Sequence, residues 1–188
     1  YKRQGQDIAN PDALLLRSYK LQEDEIPDSV TAIARAGAGV NNIPLARCSE
    51  RGIPVFNTPG ANANAVKELV VAAMLLASRD IVGGIAFAQS QDATMSAQDM
   101  NALMEREKKR FAGAELGGKT LGVVGLGAIG SLVARMGLDF GMDVVGFDPA
   151  LSVEAAWRLP SDVLRMENVH SLVGVCVFVC LQLRLLVS

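Results

Sequence analysis

The chain has 188 residues, of which 50% are hydrophobic and 20% are charged, a composition typical of a globular protein with a buried core. Its 18 basic and 20 acidic side chains leave a formal net charge of −2, which gives nucleic acids and anionic membranes no electrostatic basis for binding. Three cysteines, Cys48, Cys176 and Cys180, have neither the number nor the spacing of a disulfide framework or a zinc site, so we expect buried thiols, no metal and a reducing, cytoplasmic compartment.

The first third of the chain alternates strand and helix signals. Apolar runs at 13–16, 31–34 and 53–56 predict strands. The segment PLARCSERG at 44–52 predicts a short helix that ends at Gly52. Strands that are separated by helices indicate a parallel α/β sheet.

A longer apolar helix is predicted at 61–77. Because it has few charges to solvate any face, we expect it to be buried between domains or subunits. Residues 88–118 are polar, and the run EREKKR at 105–110 is typical of a solvated helix face. We interpret this segment as a crossover. The longest apolar stretches, 69–77 and 172–181, are shorter than the roughly 20 residues of a membrane span, so we expect no membrane partner.

The residues from Leu121 to Asp148 combine an apolar strand, a glycine turn, a helix, a second strand and a carboxylate, in that order. Gly125 permits a tight turn, Gly127 lets the backbone approach a pyrophosphate, and Gly130 lets the helix pack on the strand. The helix N-terminus offers free N–H groups and a favourable dipole to phosphate. Glycine turns also arise for structural reasons alone, but this complete order favours a dinucleotide site.

The carboxylate at the end of the second strand bears on the choice of dinucleotide. Asp148 follows the strand predicted at 143–147 and can accept hydrogen bonds from an adenosine ribose. A 2′-phosphate would meet like charge there, and the next residues, Pro149 and Ala150, supply no cation. The sequence therefore predicts NAD rather than NADP as the cofactor.

Three ordered motifs resemble those of the D-isomer-specific 2-hydroxyacid dehydrogenases. They are ARAGAGVNNIP at 34–44, GIPVFNTPGANANAVKELV at 52–70 and FAGAELGGKTLGVVGLGAIG at 111–130. The likeness runs from about Asp12 to Val173 and is greatest to members that oxidise 3-phosphoglycerate. It implies an α/β fold with doubly wound parallel sheets, in which a Rossmann-like NAD-binding domain accompanies a smaller, flavodoxin-like substrate domain.

The resemblance also implies a domain organisation, with both domains incomplete in this chain. It assigns 1–60 to the substrate domain and 61–188 to the NAD-binding domain. The latter would contain a helical crossover at 61–118, a Rossmann core at 119–173 and an atypical tail at 174–188. By the same likeness, the crossover would mediate a homo-oligomer.

Cofactor contacts follow from matching the family's motifs residue by residue. The resemblance implies that Ala38 lines the nicotinamide side, that Ala128 and Ile129 meet the pyrophosphate, and that Asp148 meets the adenosine ribose.

Substrate contacts follow in the same way. Backbone amides of Gly37, Ala38 and Gly39 would meet the substrate carboxylate, a role that consecutive exposed N–H groups suit. Arg17 and Arg35 match positions near a substrate phosphate, which paired guanidinium hydrogen bonds recognise well. The alternative is that both arginines are ordinary surface charges at strand ends.

Oxidation of a 2-hydroxy acid needs a base for the hydroxyl proton and a cation for the carboxylate. The resemblance puts the family's arginine, glutamate and histidine downstream of Asp148, so we predict no catalytic residue in this chain. His170 is the only histidine. It follows Asn168 on a short helical stretch before the third strand of the nucleotide half, and we interpret it as a surface or packing residue.

Both ends of the chain affect these expectations. The first residues carry no signal-peptide pattern, but Tyr1 is not an initiating methionine, so a preceding targeting segment stays an open alternative. The apolar tail at 174–188 is open to forming a strand, but it departs from the family's pattern, which suggests an alternative end such as read-through in another frame.

Three hypotheses of function remain open. The first is an incomplete dehydrogenase that acts on 3-phosphoglycerate, in reversible hydride transfer between its C2 and NAD at the entry to serine biosynthesis, and that is inactive alone. The second is a non-catalytic NAD-binding or dimer-modulating module. The third is a dehydrogenase for another 2-hydroxy acid, such as glycerate or lactate, or for formate.

Overall fold

The computed structural model describes residues 8–182, and the chain divides into two compact units, Tyr1–Asn62 and Ala63–Ser188. Each unit contains one parallel sheet, and helices connect its strands. This arrangement confirms the predicted α/β fold.

The first unit contains a three-stranded sheet. Its elements are β1 (Ala13–Leu16), a 3-10 turn (Glu23–Glu25), β2 (Ala32–Arg35), α1 (Leu45–Glu50) and β3 (Val55–Asn57), with strand order β1-β2-β3. The prediction for β1 is confirmed. Strand β2 begins one residue later than predicted. Strand β3 begins two residues later, because Ile53 belongs to the turn after α1, where its N–H donates to the Cys48 carbonyl at 2.8 Å.

The core of this unit includes Ile33 of β2, and one arginine, Arg51, fixes the loop that leads into that strand. Its buried side chains are Leu21, Ile26, Val30, Ile33, Ile43, Cys48 and Ile53. Arg51 donates to the carbonyls of Ile26 and Pro27 at 2.8 and 2.9 Å, which fixes the loop before β2. Burial raises the pKa of the Cys48 thiol, which is buried as predicted. Cys176 and Cys180 are only partly buried, so that prediction is wrong for them.

Three helices open the second unit: α2 (Ala63–Ser78), α3 (Ile81–Gln89) and α4 (Ala97–Glu107), followed by a 3-10 turn (Lys108–Phe111). Helix α2 begins two residues later than predicted. Its Met74 is buried, whereas Leu69 and Leu76 are 70% and 48% exposed, so the unit does not cover the helix on all sides. Among residues 8–182 no single helix is long and apolar enough to cross a membrane. Helices α2 and α3 meet the length and hydropathy criteria only as a pair bent by 69°, which is weak evidence for a membrane span.

The charged run at 105–110 contacts helix α3 through Arg110, in addition to facing solvent. The Arg110 guanidinium lies 5.5 Å from the ring centres of both Phe87 and Phe111, and those centres are 5.3 Å apart. Arg110 also donates to Glu107 at 2.9 Å, which is the main reason that the pKa of Glu107 is lowered. Phe87 belongs to α3, so these contacts join α3 to the end of α4.

The second sheet has four parallel strands in the order β6-β5-β4-β7. Its elements are β4 (Thr120–Val124), α5 (Ala128–Asp139), β5 (Asp143–Phe147), α6 (Val153–Ala156), β6 (Val163–Arg165), α7 (Val169–Val173) and β7 (Phe178–Leu181). The central strand β4 is buried, and Leu121 and Val123 have no exposed surface. Helix α2 packs on α5 over this core.

The order of elements in this sheet differs from the sequence prediction in one respect. Strand β6 was not predicted, so His170 lies before the fourth strand of the sheet and not the third. Within the tail, whose apolar segment was open to forming a strand, Phe178–Leu181 forms β7 and pairs with β4. Residues 183–188 of the tail lie outside the described residues.

Candidate functional site

The strand order of the second unit creates a crevice at the carboxyl end of β4. The chain leaves β4 for β5 on one side of the sheet, while β7 pairs with β4 on the other. Ligands of open α/β sheets bind at such a switch point, outside the carboxyl ends of the strands. The glycine turn predicted from the sequence follows β4 directly, so it lies in this crevice.

At each of the three glycines, a side chain would alter the backbone conformation, the packing or the open space in front of the helix. Gly125 has φ +89°, a left-handed conformation that favours glycine. A methyl group on Gly130 would lie 1.8 Å from the Gly125 carbonyl oxygen, so only glycine lets α5 start this close to β4. A methyl group on Gly127 would meet no atom within 4 Å and would fill open space in front of the helix.

The N-terminus of α5 presents unused hydrogen-bond donors to that space. The first N–H of the helix to donate back along the chain is that of Ser131, to the Gly127 carbonyl at 3.0 Å. The N–H groups of Ala128, Ile129 and Gly130 donate to no atom of residues 8–182. Free donors at the end of a 12-residue helix, next to space that a Cβ would fill, fit a pyrophosphate.

Asp148 lies beside the same turn and braces it. Its Oδ2 accepts a hydrogen bond from the Leu126 N–H at 2.8 Å, and its Oδ1 accepts one from the Ala150 N–H at 2.9 Å. Leu126 stands between the first two glycines, so the carboxylate fixes the peptide at the tip of the turn. A carboxylate has about four lone-pair positions, so it can also accept hydrogen bonds from a ribose.

A pocket of about 950 Å³ opens next to Asp148, at the carboxyl ends of β5 and β6. Its wall includes Leu126, Pro149, Trp157 and Arg165. Trp157 is 85% exposed. Arg165 was not among the predicted site residues, because it lies 17 positions after Asp148 along the chain and comes near it only in the folded sheet. Strand β6, which begins three residues after Pro160, brings this cation into the wall.

The first unit gathers the predicted substrate residues at the carboxyl edge of its own sheet. Leu16 pairs with Arg35, so Arg17 and Arg35 stand at neighbouring strand ends. The Arg35 Nε donates to the Arg17 carbonyl at 3.1 Å. Gly37 has φ +152°, and a methyl group on it would lie 2.4 Å from the Arg35 Nη1. The guanidinium therefore lies against the loop that carries Gly37 and Gly39.

This loop is also held from β3. The Thr58 N–H donates to the Gly37 carbonyl at 3.0 Å, and the Asn57 Nδ2 donates to the Ala38 carbonyl at 2.7 Å. Within the described part of the chain, the N–H groups of Ala38 and Gly39 have no acceptor. Neighbouring free N–H groups suit an anion such as a carboxylate. Asn57 was missed as a site residue because its role depends on the pairing of β2 with β3.

The predicted contact of Ala38 with a nicotinamide stays a prediction. Ala38 belongs to the first unit and the glycine turn to the second.

The comparison with known families decides the assignment. The model of the D-isomer specific 2-hydroxyacid dehydrogenase catalytic domain matches residues 3–165. The chain belongs to this family. The resemblance seen in the sequence motifs is thereby confirmed, and with it the assignment to a family of oxidoreductases.

Individual members of the 2-hydroxyacid dehydrogenase family show the extent of the likeness. The D-3-phosphoglycerate dehydrogenase of Methanocaldococcus jannaschii is 40% identical over 152 residues, which cover 79% of this chain and 26% of that enzyme. The hydroxypyruvate reductase of Thermotoga maritima is 41% identical over 146 residues, which cover 76% of this chain and 44% of that enzyme. The chain thus spans less than half the length of both relatives.

A solved structure extends the likeness to three dimensions. The NAD⁺-bound 3-phosphoglycerate dehydrogenase of Entamoeba histolytica is 28% identical and has a TM-score of 0.62. The match covers 93% of this chain and 47% of that one.

Proposed function

We propose that the second unit of the chain binds NAD, as part of a dehydrogenase of 2-hydroxy acids. The observation that carries the proposal is the glycine turn, whose free N–H groups and braced carboxylate lie together at the switch point of the sheet. The bound NAD⁺ in the Entamoeba histolytica enzyme supports it. NAD, when bound, supplies the hydride acceptor. Gly127 and the start of α5 would hold its pyrophosphate, and Asp148 its adenosine ribose.

For the substrate, we propose a phosphorylated 2-hydroxy acid such as 3-phosphoglycerate. Ala38 and Gly39 would donate to its carboxylate, while Arg17 and Arg35 would face its phosphate. The placement of both arginines at one sheet edge supports this assignment, as does the name of the Methanocaldococcus jannaschii relative. The hydroxypyruvate reductase relative favours a second candidate, a 2-hydroxy acid without phosphate.

The proposed reaction is reversible hydride transfer between C2 of 3-phosphoglycerate and NAD, which leads into serine biosynthesis. By the family resemblance, the base and the carboxylate-binding arginine would lie downstream of Asp148, and no residue of this chain is assigned to either role. We therefore propose that these 188 residues bind NAD without turning over substrate. The same binding residues would serve a non-catalytic module that binds NAD or modulates a dimer. A turnover assay on the purified chain tests both proposals, because turnover of substrate would show a working enzyme.

The sole tryptophan provides a direct test of NAD binding. Because Trp157 lines the pocket beside Asp148, we expect NAD to change its fluorescence saturably. ADP-ribose should do the same, since it retains the groups that the second unit would contact, and NADP should bind more weakly.

Calorimetry in parallel controls for light absorption by the nucleotides. The absence of saturable binding in both measurements would refute the proposed cofactor role, and tighter binding of NADP would refute the preference for NAD.

Exposed apolar side chains support the proposal of a homo-oligomer through 61–118. On α2 and α3, Leu69, Ile81, Val82 and Ile85 are between 40% and 70% exposed, which is unusual for a contiguous helical segment. We expect Leu69→Glu to lower the mass measured by sedimentation equilibrium to that of a monomer. Val173→Glu, at another exposed apolar position, should leave the mass unchanged. A monomeric wild-type chain would contradict this proposal.

A further inference from the structure

We propose that Asn57 is a positioning residue, which together with the N–H of Thr58 orients two peptide groups of the 37–39 loop and so aims the N–H groups of Ala38 and Gly39 at the substrate. The inference rests on the proposed role of this loop in binding the substrate carboxylate. It assigns to the end of β3 a task that the sequence motifs do not reveal.

The geometry of the trans amide carries the first step. In each planar trans peptide the N–H points away from the carbonyl, and none of the described residues has a cis peptide. The Gly37 carbonyl shares its plane with the Ala38 N–H, and the Ala38 carbonyl shares its plane with the Gly39 N–H. Whatever holds these two carbonyls therefore also directs the two N–H groups.

Both carbonyls are held from the same side. The Thr58 N–H binds the first at 3.0 Å, and the Asn57 Nδ2 binds the second at 2.7 Å. Because both carbonyls turn toward the end of β3, both N–H groups turn away from it. Neither N–H has an acceptor among residues 8–182, so the two donors are available to one anion.

The strand register places Asn57 for this task. Arg35 pairs with Asn57 across β2 and β3, so the loop leaves β2 directly beside the Asn57 side chain. On its other side the loop meets the Arg35 guanidinium, which is itself bonded to the Arg17 carbonyl. In this arrangement Asn57 acts on the substrate through the Ala38 peptide.

The ligand-free chain tests the positioning role directly. We expect ¹⁵N relaxation of the wild-type chain to give order parameters near 0.85 for the Ala38 and Gly39 amides, the usual value for rigid backbone. In Asn57→Ala the Gly39 amide should fall toward 0.6, the range of flexible backbone. Asn57→Asp should have at least the same effect, because a carboxylate of the same shape cannot donate to a carbonyl. Asn101→Ala, an exposed asparagine on α4, is the control.

A ligand-bound arm distinguishes orientation from general destabilisation. D-glycerate carries the carboxylate without phosphate, and glycerol 3-phosphate carries phosphate without the carboxylate. We expect Asn57→Ala to weaken D-glycerate binding by roughly tenfold, the effect of losing one well-placed hydrogen bond, and to leave glycerol 3-phosphate binding unchanged.

The outcomes separate the two proposals. Unchanged Gly39 order parameters in both Asn57 variants would overturn the positioning role, whatever D-glycerate does. In another outcome, the variants lose order at Gly39 while D-glycerate fails to shift the Ala38 and Gly39 amides of the wild-type chain. That result would support the positioning role of Asn57 and refute the role of the loop in binding the carboxylate. Equal weakening of both ligands would also overturn the inference, since it would indicate a general loss of structure.

Discussion

Replacing Gly130 with alanine should abolish NAD binding and lower the free energy of unfolding. The new methyl group would lie 1.8 Å from the Gly125 carbonyl oxygen and 3.3 Å from Val123, so the turn or the helix must move. Alanine is favoured over glycine in a helix by about 0.8–1.0 kcal/mol, but overpacking against backbone costs about 1–3 kcal/mol. We expect the clash to prevail. Urea unfolding and the Trp157 titration measure the two effects.

Two other glycines make this experiment selective. Gly127→Ala introduces a methyl group with no atom within 4 Å, at φ −70°, so the free energy of unfolding should be unchanged. NAD affinity should fall by roughly tenfold, because the methyl group occupies the space proposed for the pyrophosphate. Gly117→Ala, where the nearest atom is 3.5 Å away, should change neither quantity. Wild-type NAD affinity in Gly130→Ala would contradict the proposed site.

The segment around the glycine turn was predictable because its signals are local. The prediction for β5, Asp143–Phe147, is confirmed at both ends, since the apolar run VVGF of a strand buried in a parallel sheet lies here between two aspartates, Asp143 and Asp148. Strand β6 has only three residues, two of them exposed, so its pattern does not differ from that of a loop. Helix α3 contains Gly83 and Gly84, which are poor helix formers, and its N-terminus is stabilised by the Asp80 side chain, which accepts a hydrogen bond from the Gly83 N–H.

The candidate sites divide in the same way. The spacing of Gly125, Gly127 and Gly130 is set within one turn, so the sequence alone could name them. Asn57 and Arg165 could not be named, because their positions depend on pairing between strands. Asn57 reaches the 37–39 loop only through the register of β3 with β2, and Arg165 enters the pocket only through the pairing of β6 with β5.

Replacing Asp148 with alanine should weaken NAD binding by about 100-fold or more, because hydrogen bonds to a charged acceptor contribute about 1.5–3 kcal/mol each and the ribose would lose two. The Leu126 N–H would also lose its acceptor, which loosens the tip of the glycine turn. Asp148→Asn should have a smaller effect, because the amide keeps one acceptor oxygen of two. Calorimetric titration with NAD measures both losses.

The same variant tests why NAD should be preferred over NADP. The carboxylate of Asp148 repels a 2′-phosphate, whereas Arg165 in the same pocket wall would attract one. In Asp148→Ala the attraction is no longer opposed, so NADP affinity should rise relative to NAD affinity. Adding Arg165→Ala should reverse that gain, because no cation of β6 would then face the pocket. If the ratio of NAD to NADP affinity is the same in Asp148→Ala as in the wild-type chain, the carboxylate does not determine cofactor choice.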